Sequence, residues 1–299
     1  MSRTASLSLA YACLPAKDLP SARAFALDII GLEEVEVGEG ALAFRSDERT
    51  YSLVFQQCEQ ASSLGLCVDD EEIDHTAKLL NANGFDCYFA DQAFTKSRAV
   101  HRALVAFDAS GNRIEFVTRP QVSARRFFPS RDAGVVDFQG VGLRSVDIER
   151  DLLFWSSLPG TRVSDRVGDI AYLSIDERHH RIALYPSQRT GLLNIAFEVA
   201  SLDDVMRNHH FISSRQVRIA QGPGRECASG QVFLHFFSPC ETLFSFVAEM
   251  RTIDPTRDRP RQFARNADSL CAWGSECLDE PDLAPIPGQA HAFRQETAI

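Results

Sequence analysis

Asp176-Glu177-Arg178-His179-His180, followed by the apolar run Ile182-Ala183-Leu184, has an earlier counterpart in Asp47-Glu48-Arg49 followed by Leu53-Val54-Phe55. The offset is about 130 residues, and the flanking signals keep it within two positions, as two copies of one supersecondary unit do. Upstream in the first copy, the strand pattern Leu7-Ser8-Leu9-Ala10-Tyr11-Ala12 precedes Asp18, a helix N-cap, and a helix running to Ile30-Gly31. Upstream in the second, Val141-Gly142-Leu143 precedes Asp147 and a helix ending near Leu158-Pro159-Gly160. Downstream, Leu64-Gly65-Leu66-Cys67-Val68 leads through Asp69-Asp70 into an amphipathic helix ending at Asn83-Gly84. The second copy answers with Asn194-Ile195-Ala196-Phe197-Glu198-Val199, then Ser201-Leu202-Asp203-Asp204 and a helix around Val205. A hairpin closes the first copy, Leu104-Val105-Ala106-Phe107 turning through Ser110-Gly111-Asn112 into Ile114-Glu115-Phe116. Each copy therefore predicts a pair of βαβββ units, and the fold class is α+β.

The boundaries read as a first domain over 5–120, a linker over 121–136, a second domain over 137–250 and a tail over 251–299. Pro255, Pro260, Pro281, Pro285 and Pro287 leave little room in the tail for regular helix or central strand. With 299 residues and 44% hydrophobic content the chain has material for two cores. A net charge of -10 argues against a nucleic-acid partner, because that affinity rests on clustered Lys and Arg. No apolar run approaches the roughly 20 residues that span a bilayer, and no signal-peptide core follows Met1, so no membrane association and a cytoplasmic location are expected. The eight cysteines are scattered without a Cys-x-x-Cys pair, which predicts buried thiols.

Several strings together resemble one family. Gly111-Asn112-Arg113-Ile114-Glu115-Phe116, Asp176-Glu177-Arg178-His179-His180, Leu193-Asn194-Ile195-Ala196-Phe197-Glu198-Val199 and Ser269-Leu270-Cys271-Ala272-Trp273-Gly274 look like the vicinal oxygen chelate superfamily. More narrowly they resemble its two-domain type I extradiol ring-cleavage dioxygenases. The resemblance covers roughly residues 5–276. It implies two tandem vicinal oxygen chelate domains, each a cupped mixed sheet, with the active site in the second. It also implies a non-haem Fe(II), sometimes Mn(II), held by two histidines and one glutamate, with open positions for catechol and O2.

Carried over residue by residue, that metal set is absent. The first ligand histidine falls on Gly140, the second on Asn194 and the glutamate on Ser245. The repeat supports the last placement, since Glu115 of the first copy maps there. One residue to either side stand Gln139 and Val141, Leu193 and Ile195, and Phe244 and Phe246, none a ligand for iron. A one-residue slip would also turn a side chain to the opposite face. No cofactor is therefore expected, and Fe(II) or Mn(II) only if this placement is wrong.

Other positions keep polar chemistry. His180 falls where the family holds a site histidine, and the resemblance implies an acid, base or hydrogen-bond donor there. His235 stands in place of a tyrosine that meets the substrate hydroxyl, while a further family histidine maps to Gly230 and is lost. The expected catalytic pair is His180 and His235, with Asn194, His179, Phe233 and Phe244 as substrate-binding residues. The phenylalanines Phe233, Phe236, Phe237, Phe244 and Phe246 predict an apolar cup suited to a small aromatic molecule. Three readings stand open: a metal-independent enzyme of aromatic metabolism, a non-catalytic aromatic-binding protein or pseudoenzyme subunit, and a dioxygenase with an unfamiliar ligand set. Family likeness further implies a homo-oligomer.

Overall fold

A computed structural model of the chain describes residues 7–38, 40–57, 61–277 and 279–285. Cys58, Pro287 and the end of the expected tail lie outside these residues. The first half is built from β1 (Ser8–Pro15), α1 (Leu19–Ala24, continued by a π-helical turn Phe25–Ile30), β2 (Glu33–Val35), β3 (Ala41–Arg45) and β4 (Leu53–Gln56). It continues with β5 (Ser63–Cys67), α2 (Ile73–Ala82), β6 (Cys87–Phe89), α3 (Gln92–Ser97), β7 (Arg102–Phe107) and β8 (Arg113–Thr118). The second half repeats the order with β9 (Val135–Ser145), α4 (Ile148–Ser156), β10 (Arg162–Val167), β11 (Ile170–Ser174) and β12 (Ile182–Pro186). Then follow β13 (Leu192–Val199), α5 (Leu202–Ser214), β14 (Ile219–Arg225), β15 (Val232–Phe236) and β16 (Leu243–Ala248).

Local chemistry starts the first helix of each half where the sequence predicts, and Ser201 caps α5 in the same way. Asp18 accepts from the Ser21 amide at 3.1 Å, Asp147 from the Arg150 amide at 3.1 Å and Ser201 from the Asp204 amide at 3.3 Å. Gly31, at φ 86°, ends the first helix in the left-handed conformation that favours glycine.

Two mixed sheets result. The first runs β2-β3-β4-β1-β5-β8-β7-β6, and the second β14-β15-β16-β13-β9-β12-β11-β10 with a further strand, β17 (Arg261–Phe263), beside β10. In each, the two βαβββ units meet at one antiparallel pair, β1 with β5 and β9 with β13. The registers confirm the repeat: Glu115 lies opposite Gly65, and Ser245 opposite Ala196.

One apolar core passes through both halves. Phe25 meets Phe244 edge to face at 5.0 Å between ring centres, and Phe85 meets Phe154 at 5.1 Å. Side chains alternate along each strand, so the residues between these core positions face the concave side of their sheet. Phe236, Phe244 and Phe246 therefore belong to the shared core and not to the cup. This corrects the expected substrate contact at Phe244 and removes three phenylalanines, Phe236, Phe244 and Phe246, from the predicted aromatic lining. Phe233 and Phe237 do lie on the concave side.

The tail is not a loose appendage over its described length. After β17 and α6 (Ala267–Leu270) it places Cys271 against Ala196, Phe233 and Val247. Cys277 and Leu283 then join the cluster of Tyr172, Tyr185, Leu193 and Leu243. Polar contacts hold its path: Gln221 donates to the Ser275 carbonyl at 2.8 Å, and buried Arg144 reaches Asp282 at 2.9 Å. The tail thus runs across the mouth of the second sheet.

Candidate functional site

The concave face of the second sheet is the candidate site. β16, β13 and β9 are neighbours there, and Gly140 lies opposite Ala196, which lies opposite Ser245. Asn194 stands two residues along β13 and donates to the Ser245 hydroxyl at 3.3 Å. That hydroxyl lies 2.6 Å from Nδ1 of His235. The His235 ring stacks on Phe233 with centres 4.5 Å apart. Sequence reasoning placed Asn194, Ser245, His235 and Phe233 together, and they form one contact chain. Burial without a counter-charge pushes the His235 pKa down to about 4, so the ring is neutral near pH 7.

A second chain lies beyond β9, ahead of β12. Nδ1 of His180 is 3.1 Å from Nδ1 of His179, and Nε2 of His179 is 2.9 Å from Asp165 on β10. The His180 ring also packs against Tyr172 with centres 4.8 Å apart. Asp165 is fully buried and accepts from the Arg261 amide at 2.7 Å and from the guanidinium groups of Arg251 and Arg261. Despite its burial, hydrogen bonds from His179 and Arg261 hold it well below the usual carboxylate range, so it is ionised. His180 is driven well below the ordinary histidine value, first by burial and then by its neighbours His179 and Arg181. His179 is therefore tied to Asp165 and His180 rather than free to meet a substrate. Among the described residues no hydrogen bond joins the His180 chain to the His235 chain.

Several residues here were not singled out from sequence. Tyr172 and Tyr185 share a hydrogen bond at the base of the cup, and burial raises both phenols above their ordinary value. Glu226, whose carboxylate meets the Ser229 hydroxyl, is pushed up to about 7 by burial. Asp165 carried a faint signal, a carboxylate inside a strand pattern, but the repeat offers no counterpart for it. Beyond the Ser269–Gly274 string the path of the tail gave none, because proline content marks where regular structure stops and not where a chain is laid. Among the cysteines, Cys227 donates to the Asp268 carbonyl at 2.8 Å. Cys240 lies instead in a cleft of about 520 Å³ between the halves, with its thiol pushed up to about 11 by burial.

The donor set does not fit Fe(II) or Mn(II). At the three ligand positions it offers a glycine, a neutral amide and a hydroxyl already engaged by His235 and Asn194, with no carboxylate to balance the ion. A Cβ placed on Gly140 would lie 2.7 Å from the Arg181 backbone carbonyl, so the strand itself crowds out a side chain there. Glu198, on the same strand as Asn194, is paired with Arg178 at 3.1 Å. Among the described residues no three His, Cys, Asp or Glu side chains converge as ligands.

In the first cup the repeat partner of Ser245 is a fully buried carboxylate. Glu115 accepts from Tyr11 at 2.7 Å, Arg98 at 3.1 Å and Arg113 at 2.8 Å. Two guanidinium groups balance its charge, and the Tyr11 ring fills the space over Gly65.

Residues 138–246 match the sequence model of the Glyoxalase/Bleomycin resistance protein/Dioxygenase superfamily. The two cupped sheets of the chain are the fold of the two-domain extradiol dioxygenases. Among its relatives, the biphenyl-2,3-diol 1,2-dioxygenase of Sphingomonas paucimobilis is 26% identical over 260 residues, 80% of this chain and 86% of that protein. The 1,2-dihydroxynaphthalene dioxygenase of Sphingobium xenophagum is also 26% identical, covering 80% of this chain and 87% of its own. Among solved structures, the Mn(II)-bound glyoxalase from Novosphingobium aromaticivorans superposes with a TM-score of 0.83 at 22% identity, covering 95% of both chains. A halotolerant catechol dioxygenase gives 0.82 at 22% identity, covering 94% of this chain and 97% of that one.

Proposed function

We propose that the second cup takes a small aromatic compound, a catechol or a product of catechol ring opening, and that His180 and His235 move protons on it without a metal ion. The observation that carries this reading is the donor set at Gly140, Asn194 and Ser245, which offers a divalent ion no charged ligand and leaves no room for a side chain at Gly140. Relatives named for catechol-type substrates support the guest, and two buried neutral imidazoles support proton transfer. Isomerisation, hydrolysis and decarboxylation are the reaction types open to such a pair.

The tail across the cup favours a second reading, a protein that sequesters its guest without turning it over. One experiment separates them: purified protein is assayed for bound metal, for O2 uptake on 2,3-dihydroxybiphenyl with and without Fe(II), and for turnover of catechols and their yellow ring-fission products. Metal-independent turnover abolished in His180→Ala is the expected result. Binding without turnover would favour sequestration, and Fe(II)-dependent O2 uptake would overturn both. The same reading carries two domains at 5–120 and 137–250 joined by 121–136, in a cytoplasmic homo-oligomer. Among the described residues no helix is long and apolar enough to cross a membrane. Light scattering in solution tests the oligomer.

A further inference from the structure

We infer that Asp165 and His179 are positioning residues that fix His180 with its proton on Nδ1, so that a bare Nε2 is the only ring atom left to meet a guest. The hydrogens along one chain of contacts fix the assignment. Every contact to Asp165 comes from a donor: the Arg261 amide, the Arg251 and Arg261 guanidinium groups and His179. An ionised carboxylate only accepts, so His179 donates to it through Nε2 at 2.9 Å.

A neutral imidazole has one ring proton, and on His179 that proton is now spent. Its Nδ1 is a lone pair, and 3.1 Å away stands Nδ1 of His180. Two lone pairs facing each other at that distance would repel, so Nδ1 of His180 carries the hydrogen and donates. Its Nε2 is left without one, and among the described residues no group donates to it. The whole chain is buried, which keeps water from scrambling the assignment.

This deepens the proposed function and rests on the second cup being the site. The consequence is a one-way preference. Nε2 of His180 accepts a proton, so it suits a phenol, an enol or an acidic C–H and repels a carboxylate or phenolate oxygen. In the proton-transfer step the guest's O–H or C–H bond breaks, its electron pair stays on the guest, and a new N–H bond forms at Nε2. The imidazolium so made faces Asp165 through His179, which offsets its charge.

Long-range proton–nitrogen NMR of the ¹⁵N-labelled full chain reads the tautomer directly, with no ligand added. A protonated Nδ1 and bare Nε2 on His180, with the reverse on His179, are expected. The opposite tautomer on His180 overturns the inference. In His179→Phe the fixing partner is gone, and His180 should move to the Nε2-protonated form that a free histidine side chain prefers. If His180 keeps its proton on Nδ1 in that variant, His179 is not what positions it. Because the spectrum is recorded without a guest, its outcome is separate from whether the cup binds or converts anything.

Discussion

At the scale of single residues, the second cup holds ionisable groups against their usual preference, and that makes stability depend on pH from both sides. His235 stays neutral down to about pH 4, whereas the same side chain in the unfolded chain takes a proton near 6.5. Its contribution is therefore fully present above about 6.5 and is lost as pH falls towards 4. Glu226 runs the other way, since it keeps its proton up to about pH 7 while the unfolded side chain releases it near 4.5. Its contribution is present below about 4.5 and is lost as pH rises to 7. Each limb amounts to about 3 kcal/mol at most. Urea titrations across pH 4–8 should show His235→Gln flattening the acid limb and Glu226→Gln flattening the other, and unchanged limbs would refute the assignment. In the first cup, Glu115→Ala leaves Arg98 buried without its counter-charge and should cost about 3–5 kcal/mol.

Elements show where sequence reading succeeds and where it stops. The βαβββ order, the caps at Asp18 and Asp147 and the register of Ser245 were legible because each is set by a few adjacent residues or by the repeat. Which phenylalanines line the cup was not read correctly. Phe244 and His235 both sit on the closing hairpin, but only period-two alternation across the paired strands assigns them to opposite faces. The link from His179 to Asp165 joins residues 14 apart through packing alone, which no motif encodes. The tail is the largest unread element. Removing residues 261–299 should uncover the face bearing Tyr172, Tyr185, Phe233 and Leu243, with a clear gain in fluorescence of a hydrophobic dye and a lower melting temperature. A truncated chain that melts like the whole one would show that the tail only rests on the cup.

Across the whole molecule the two halves share one core, so neither is a free-standing unit in packing terms. Phe25, from the helix of the first half, sits against Phe236 and Phe244 of the second. Phe25→Ala should destabilise the full chain by about 3–5 kcal/mol, and a single cooperative transition by calorimetry is expected to remain. Two separate transitions would show that the halves unfold independently. The close approach of Gly140 to the Arg181 carbonyl has a further consequence, one of history rather than energy. A lineage that let the strand settle against that carbonyl cannot regain a ligand there by one codon change, because the new side chain meets backbone before it can meet a metal. Selection would have to move the strand first, with nothing gained from the move, so on the proposed metal-free reading a departure from metal chemistry works as a ratchet.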